Sequence, residues 1–468
     1  MQIRTFSRGQ QLATLVAAGL GFVVVQLDVS AVNVALEALR RDMRTDVAGL
    51  QWVVNAYTLV FASLLLTAGA MGDRFGARRI FTSGLLVFCI ASLACGLAPG
   101  AASLVAARLV QGLGAALLVP ASLAMLQQAF PEAAQRSRAV GWWGAFGGIA
   151  LAAGPVLGGL LVTYTGWRSI FLINLPIGLV ALSLVRKGRP AATLNSEYKQ
   201  PPRGFDWQGQ LLAVLALASL AAALTGAGRL GWLAPLTLSG LFVSALASAA
   251  FIRTEARQGA PMLPLALFRN PVLSVMVVSG VIVSFAYYGL VFVFSLFFQS
   301  VQHYSAQQAG LAFLPMTAVL VFVNVLAGRL ISRHGPRVLM LAGLTLAALG
   351  YLLMLRVSGE SAYWLLGGPM LLVGSGIALT VPTMTNATLS SADASRAGIA
   401  SGVLNTARQT GGMLGVAVFG FFVRDTGAAH FVQGMHLAIA VSAALLAAGI
   451  VMNYYVLPRL TPFNTAAA

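Results

Sequence analysis

Stretches of about twenty apolar residues recur along the whole chain, separated by short polar breaks. They fall near 12–36, 50–71, 80–98, 102–128, 138–162, 168–186, 208–227 and 231–252, then near 272–299, 307–328, 338–356, 362–388, 398–422 and 434–457. A helix of about 20 apolar residues spans the roughly 30 Å hydrocarbon core of a bilayer, so the pattern predicts fourteen transmembrane helices. Arg4 and Arg8 precede the first run as they would a signal peptide. That run is too long for one, however, and thirteen more follow it without an extramembrane domain between them, so it reads as span 1.

One internal repeat divides the pattern. Gly69-Ala70-Met71-Gly72-Asp73-Arg74-Phe75-Gly76-Ala77-Arg78 aligns with Gly328-Arg329-Leu330-Ile331-Ser332-Arg333-His334-Gly335-Pro336-Arg337, with Gly, Arg, Gly and Arg coinciding at a constant offset. The first copy joins spans 2 and 3 and the second joins spans 10 and 11, on the same side of the membrane. Same-side copies imply parallel repeats, the arrangement of two transporter halves about an axis normal to the bilayer. A separation of eight spans rather than six implies two inserted spans. The expected organisation is a six-helix half over 1–186, linkers and two extra spans over 187–271, and a second six-helix half over 272–468. Arg186 to Asp206, with Pro201-Pro202, and Arg253 to Pro271 read as the linkers.

Composition agrees with a membrane solvent. The chain is 58% hydrophobic and 9% charged, with a mean hydropathy of +0.85, whereas soluble domains carry about 25% charged residues. A net charge of +17 would suit a nucleic-acid partner only if gathered on one exposed patch, and here the basic residues are scattered between apolar runs. With the N-terminus in the cytoplasm, twenty of the 29 Lys and Arg fall inside and seven outside, and Arg108 and Arg408 lie within spans. The positive-inside rule therefore puts both termini in the cytoplasm. Cys89 and Cys95 share one apolar run and are too few for a disulfide framework or a metal cluster.

No enzymatic chemistry is legible. Lys187 is followed by Gly188 and Lys199 by Gln200, so neither lysine completes a phosphate-binding loop, and the four His form no catalytic or metal constellation. No cofactor is called for, and an ion gradient remains as the driving force.

Asp28 is the one acidic residue deep in a span, about 12 Å below the outer end of span 1, and Arg108 enters span 4 to about 10 Å. Matched depth permits pairing. An arginine neighbour favours the ionised carboxylate and burial disfavours it, so a conformational change that alters the balance would move a proton; a static ion pair joining spans 1 and 4 is the alternative. Gln26, Ser30 and Asn33 make a polar stripe on another face of span 1, suited either to a cavity wall or to interhelical bonding. Gly154-Pro155-Val156-Leu157-Gly158-Gly159 in span 5 reads as a hinge or a tight seal. Asp73 to Arg79 suits charge locking between helix ends, or marks topology alone. Tyr287, Tyr288, Phe292, Phe294, Phe297 and Phe298 in span 9 offer stacking surfaces for a planar substrate, although lipid-facing or packing roles are the better reading of such aromatics.

Taken in order, these segments resemble the fourteen-helix drug:proton antiporters of the major facilitator superfamily. Leu27 to Leu36 resembles the family's span 1 motif, Gly69 to Arg79 its loop motif, Arg108-Leu109-Val110-Gln111-Gly112-Leu113-Gly114 its span 4 motif and Gly154 to Gly159 its antiporter motif. Gly166 to Pro176 and Gly398 to Gly415 add two further stretches. Three positions depart from the pattern: Glu37 replaces a Pro, Ala150 a Gly and Ser332 an acid.

The resemblance implies an all-α polytopic major facilitator fold, with two six-helix halves and two inserted helices. It assigns proton coupling to Asp28 and Arg108, and conformational switching to Gly69, Asp73, Arg74, Gly76 and Arg78. It makes Gly154, Pro155, Gly158 and Gly159 the antiporter hinge. Candidates for the substrate cavity are Gln26, Ser30, Asn33, Gln111, Tyr287, Tyr288 and Asn405. The expected function is proton-coupled export of lipophilic small molecules, by a monomer in a bacterial-type inner membrane. The alternatives are a dedicated exporter of an antibiotic, siderophore or metabolite, and a receptor or scaffold that moves nothing. Spans 9 to 14 hold no deep acid, which disfavours divalent cations as cargo.

Overall fold

The computed structural model describes residues 6–188, 206–259, 261–391, 397–425 and 427–458. Arg4, Arg189, Lys199, Pro201, Pro202, Arg203, Arg396 and Arg459, which entered the charge and linker readings, lie outside them, and of Arg329 and Ser332 only the backbone is described. The described residues are helical and contain no strand. In chain order the helices are α1 (Arg8–Asp42), α2 (Val47–Phe75), α3 (Ala77–Gly96), α4 (Ala101–Ala129), α5 (Ala133–Thr165), α6 (Ser169–Leu172), α7 (Asn174–Lys187), α8 (Trp207–Leu230) and α9 (Pro235–Arg257). They continue as α10 (Pro271–Leu296), α11 (Ala306–Ala312), α12 (Leu314–Met354), α13 (Trp364–Ser391), α14 (Ala397–Phe422) and α15 (Ala428–Val456).

Thirteen segments among the described residues are long and apolar enough to cross a membrane. The 26-residue α14 occupies the position of the remaining predicted span. One span, Ser169–Lys187, is built from α6 and α7, whereas α12 runs through two, Ala306–Gly328 (begun by α11) and Arg333–Met354, joined across a bend at Gly335, which sits at φ 73° just before Pro336.

Helix ends follow local chemistry. Ser7 opens α1 with a reciprocal capping box, its hydroxyl accepting from the Gln10 amide while the Gln10 side chain accepts from the Ser7 amide. Asp46 accepts from Gly49 N at 2.9 Å to start α2, and Asp206 accepts from Gly209 N at 2.7 Å to start α8. Asn270 caps α10, whose first residue is Pro271. In both copies of the repeated loop the third coinciding residue is a glycine in the left-handed region: Gly76 at φ 93° and Gly335 at φ 73°. Each copy thus turns the chain at a position that strains any residue with a Cβ.

The chain forms two compact units. One comprises 1–262 with 303–311, the other 263–302 with 312–468. In the first, α1 packs on α4, α5 and α7, α4 packs on α2 and α3, and α8 and α9 pair with each other. Val24, Tyr57, Phe81, Phe88 and Leu118 lie at the centre of its core. The inserted pair attaches through α8 to α2: Gln210 donates to Ser63 O at 2.8 Å and bonds Thr67, and at the other end Arg229 grips Asp46, with Nε to Oδ2 at 2.5 Å. The outer faces of α8 and α9 expose Leu211, Leu215, Leu236 and Phe242, as lipid contact requires. In the second unit α10 packs on α13, α14 and α15, while α12 packs on α13 and α15.

Candidate functional site

The first unit buries a polar cluster among five of its helices. Span 1 carries Asp28 into the core because Val24, Val25, Leu27, Ala31 and Val32 seat the helix against its neighbours. Asp28 and Arg108 are both about 1% exposed, and Arg108 Nη1 binds Asp28 Oδ2. The other carboxylate oxygen accepts from Gln111 Nε2 at 2.8 Å and from Asn174 Nδ2 at 3.4 Å. Arg108 is held further by Nε donating to Val53 O at 3.0 Å and Nη1 to Gln111 Oε1 at 2.7 Å. Its guanidinium also lies over the Tyr57 ring, 4.3 Å from the centroid. Ser92 Oγ accepts from both amides, from Gln111 at 2.7 Å and from Asn174 at 3.0 Å. The ion pair is thus enclosed by α1, α2, α3, α4 and α7.

Depth in the sequence brings Asp28 and Arg108 together, as matched positions suggest. Gln111 falls elsewhere than the substrate wall for which it was a candidate: one turn from Arg108 on α4, it is fully buried and its amide is committed to Asp28, Ser92 and Arg108. Sequence reading did not single out Ser92, Asn174 or Tyr57. A signal for Asn174 exists, since it interrupts an apolar run as Asp28 does; Ser92 and Tyr57 carry none, because single hydroxyls are common in spans.

The polar stripe of α1 faces elsewhere. Ser30 turns its hydroxyl back to Gln26 O at 3.0 Å and lies against Gly154, where a Cβ would stand 1.7 Å from Ser30 Oγ. Asn33 is buried and donates to Val29 O at 2.8 Å, and Gln26 is half-buried. Glu37 is buried between Arg40 and Arg41, at 2.8 and 2.7 Å. The glycines of α5 are used for close approach. A Cβ on Gly158 would lie 3.0 Å from the Ala31 backbone, and one on Gly159 would lie 2.5 Å from Ala306 O, while Gly310 leaves room for Pro155 O. Gly154 and Gly158 therefore seat α5 on α1, and Gly159 seats it on the start of α11.

At the other end of the unit Arg78 donates to Val185 O, and to Gly188 O at 2.6 Å, supplying a cation to the open carbonyl end of α7. Asp73 and Arg74 are exposed, and Gly69 lies near Pro120. In the second unit Tyr287 and Tyr288 pack edge to face with centroids 5.1 Å apart. Asn405 is half-buried and donates to Ser401 O of its own helix at 3.1 Å.

An all-helical chain with this many spanning segments and an ion pair sealed among them is a polytopic membrane protein of the transporter kind. The sequence profile of the Major Facilitator Superfamily matches residues 18–416. A multidrug resistance protein, Stp, of Mycobacterium tuberculosis is 39% identical over 410 residues, covering 88% of this chain and 75% of that one. A methylenomycin A resistance protein of Streptomyces coelicolor is 37% identical over 412 residues, covering 88% and 86%. Among solved structures, a D-xylose-proton symporter shares the fold, with a TM-score of 0.69 over 96% of this chain and 98% of that one at 15% identity. The chain belongs to the Major Facilitator Superfamily.

Proposed function

We propose that this chain is a proton-coupled antiporter that exports lipophilic small molecules from the cytoplasm, and that it moves its cargo without chemical change. The single observation that carries the reading is the sealed Asp28–Arg108 pair, in a superfamily member whose relatives are named for resistance to drugs. Ionised, Asp28 neutralises a guanidinium that has no water to fall back on. Protonated, it would leave Arg108 buried without a counter-charge, which costs about 3–5 kcal/mol. Proton uptake is therefore incompatible with this packing and drives the helices that carry the pair into another arrangement. Coupling the charge balance of this pair to helix movement is what exchange of proton for cargo needs.

The setting we assign is a bacterial-type inner membrane, with both termini in the cytoplasm and the chain acting as a monomer. The name of the methylenomycin relative favours, as a second reading, a carrier dedicated to one antibiotic.

The test is proton flux in proteoliposomes holding a pH gradient, challenged with cationic, neutral and anionic lipophiles. Wild type should release protons on addition of a cargo, and Asp28→Asn should lose at least tenfold of that flux while still binding the compound. Equal flux in the variant would leave the ion pair a static tie and remove the coupling role.

A further inference from the structure

The two units treat their intramembrane cations differently. Arg108 is neutralised by Asp28 and bonded as well to Gln111 and to Val53 O. Arg408 in the second unit stands about 16 Å along α14 from its first residue, hence near mid-membrane. No carboxylate or hydrogen-bond acceptor reaches it among the described residues, and its Nε is buried without a partner. Acids in 263–468 are Glu360, Asp393 and Asp425 alone; the first and last lie between helices, and Asp393 is outside the described residues.

The surroundings hold the guanidinium without neutralising it. Its stem packs where Gly280 of α10 lacks a side chain: a Cβ there would stand 3.1 Å from Arg408 Cγ. One turn further along α14, Gly412 makes room for the Tyr288 ring, 2.7 Å from where its Cβ would be, and Tyr288 lies within electrostatic range of Arg408. Tyr287 packs edge to face against Tyr288, and Tyr351 beyond it has a buried hydroxyl with no partner. Arg408 as a whole is only half-buried, so part of the side chain stays accessible. An uncompensated charge at mid-membrane is costly and is retained where something binds it.

We propose that Arg408, with Tyr287 and Tyr288, binds the anionic group of the cargo, so that the exported compounds are lipophilic acids whose carboxylate, sulfonate or enolate supplies the missing counter-charge. The guanidinium fork donates to two oxygens side by side and the phenol rings flank the apolar body. This inference rests on the transport reading above and narrows it to a substrate class.

Three probes of one shape test it: 2-naphthalenesulfonate, methyl 2-naphthoate and 2-naphthyltrimethylammonium, carrying negative, zero and positive charge. Binding is read from the shift in unfolding temperature of the purified full chain, and transport from proton-coupled efflux in proteoliposomes. Wild type should bind and export the sulfonate at least tenfold better than the other two. Arg408→Gln should reduce that preference to within twofold while still binding the ester, which shows that the variant folds, and Arg408→Lys should keep part of it. Export of the ester or the ammonium probe as strong as that of the sulfonate, unchanged in Arg408→Gln, would overturn the anion site and leave the antiporter standing. Binding of the sulfonate that depends on Arg408, without proton-coupled movement of any probe, would uphold the site and overturn the transport reading. Failure of all three probes to bind or move would overturn both.

Discussion

Asp28 accepts from three donors, and one of those donors carries the charge that makes removing it so costly. Replacing Arg108 by Met should therefore destabilise the folded protein by about 3–5 kcal/mol, because a carboxylate is left buried without its cation. Adding Asp28→Asn to that variant should recover most of the loss, since the uncompensated charge is gone; thermal unfolding of the three variants in detergent checks both. A double variant no more stable than Arg108→Met would mean that the surrounding amides, not the charge balance, hold the cluster. Asp28 and Arg108 were legible from the sequence because ionisable residues in apolar runs are rare enough to notice. Ser92 and Asn174 joined the cluster only when α3 and α7 were packed against α1 and α4, for no spacing along the chain brings residues 82 and 146 positions apart into one hydrogen-bond network.

Helix contacts in the first unit depend on where side chains are absent. A Cβ on Gly154 meets Ser30 Oγ and Cβ, which can be removed, whereas one on Gly158 meets the Ala31 backbone, which cannot. Gly154→Ala alone should cost about 1–3 kcal/mol by overpacking, and Ser30→Gly should restore most of it, while no single substitution on α1 should rescue Gly158→Ala. The unfolding temperatures of this mutant cycle decide between tight seating and a slack Gly-rich surface. The contact that ties α8 to α2 depends on pH. Arg229 donates to Asp46 and holds its carboxyl below the usual carboxylate range, so the pair stabilises the fold above about pH 4 and ceases to do so as acid protonates Asp46 in the folded protein. Both groups are half exposed, so Asp46→Asn should cost at most about 1 kcal/mol at neutral pH, less in high salt, and progressively less as acid protonates the carboxyl in the folded protein. A penalty that does not shrink at all as the pH is lowered would assign the loss to the N-cap of α2 instead.

At the scale of the whole molecule, the orientation proposed from the charge distribution is open to a labelling experiment. In a background lacking Cys89 and Cys95, Gln135→Cys, before α5 fully forms its span, should react with an impermeant maleimide only from the cytoplasmic side, and Ser103→Cys, in the first turn of α4, only from outside; the reverse pattern would invert the topology. Both are exposed, so accessibility in the folded protein does not limit the reaction. The sequence by itself determined the number and order of the spanning segments, the repeated loop and the presence of a buried acid and base, because each is a local property: a run of apolar residues long enough for a bilayer, a glycine that turns the chain, a charge where lipid forbids one. Tertiary structure alone decided which polar residues surround the carboxylate, that Gln111 bonds to the ion pair, that Ser30 seats a glycine, that the inserted helices attach to α2, and that among the described residues Arg408 lacks the partner Arg108 has. Those are properties of distance between segments, and in a chain of helices so alike in composition the hydrophobic pattern says that each must pack without saying against which neighbour.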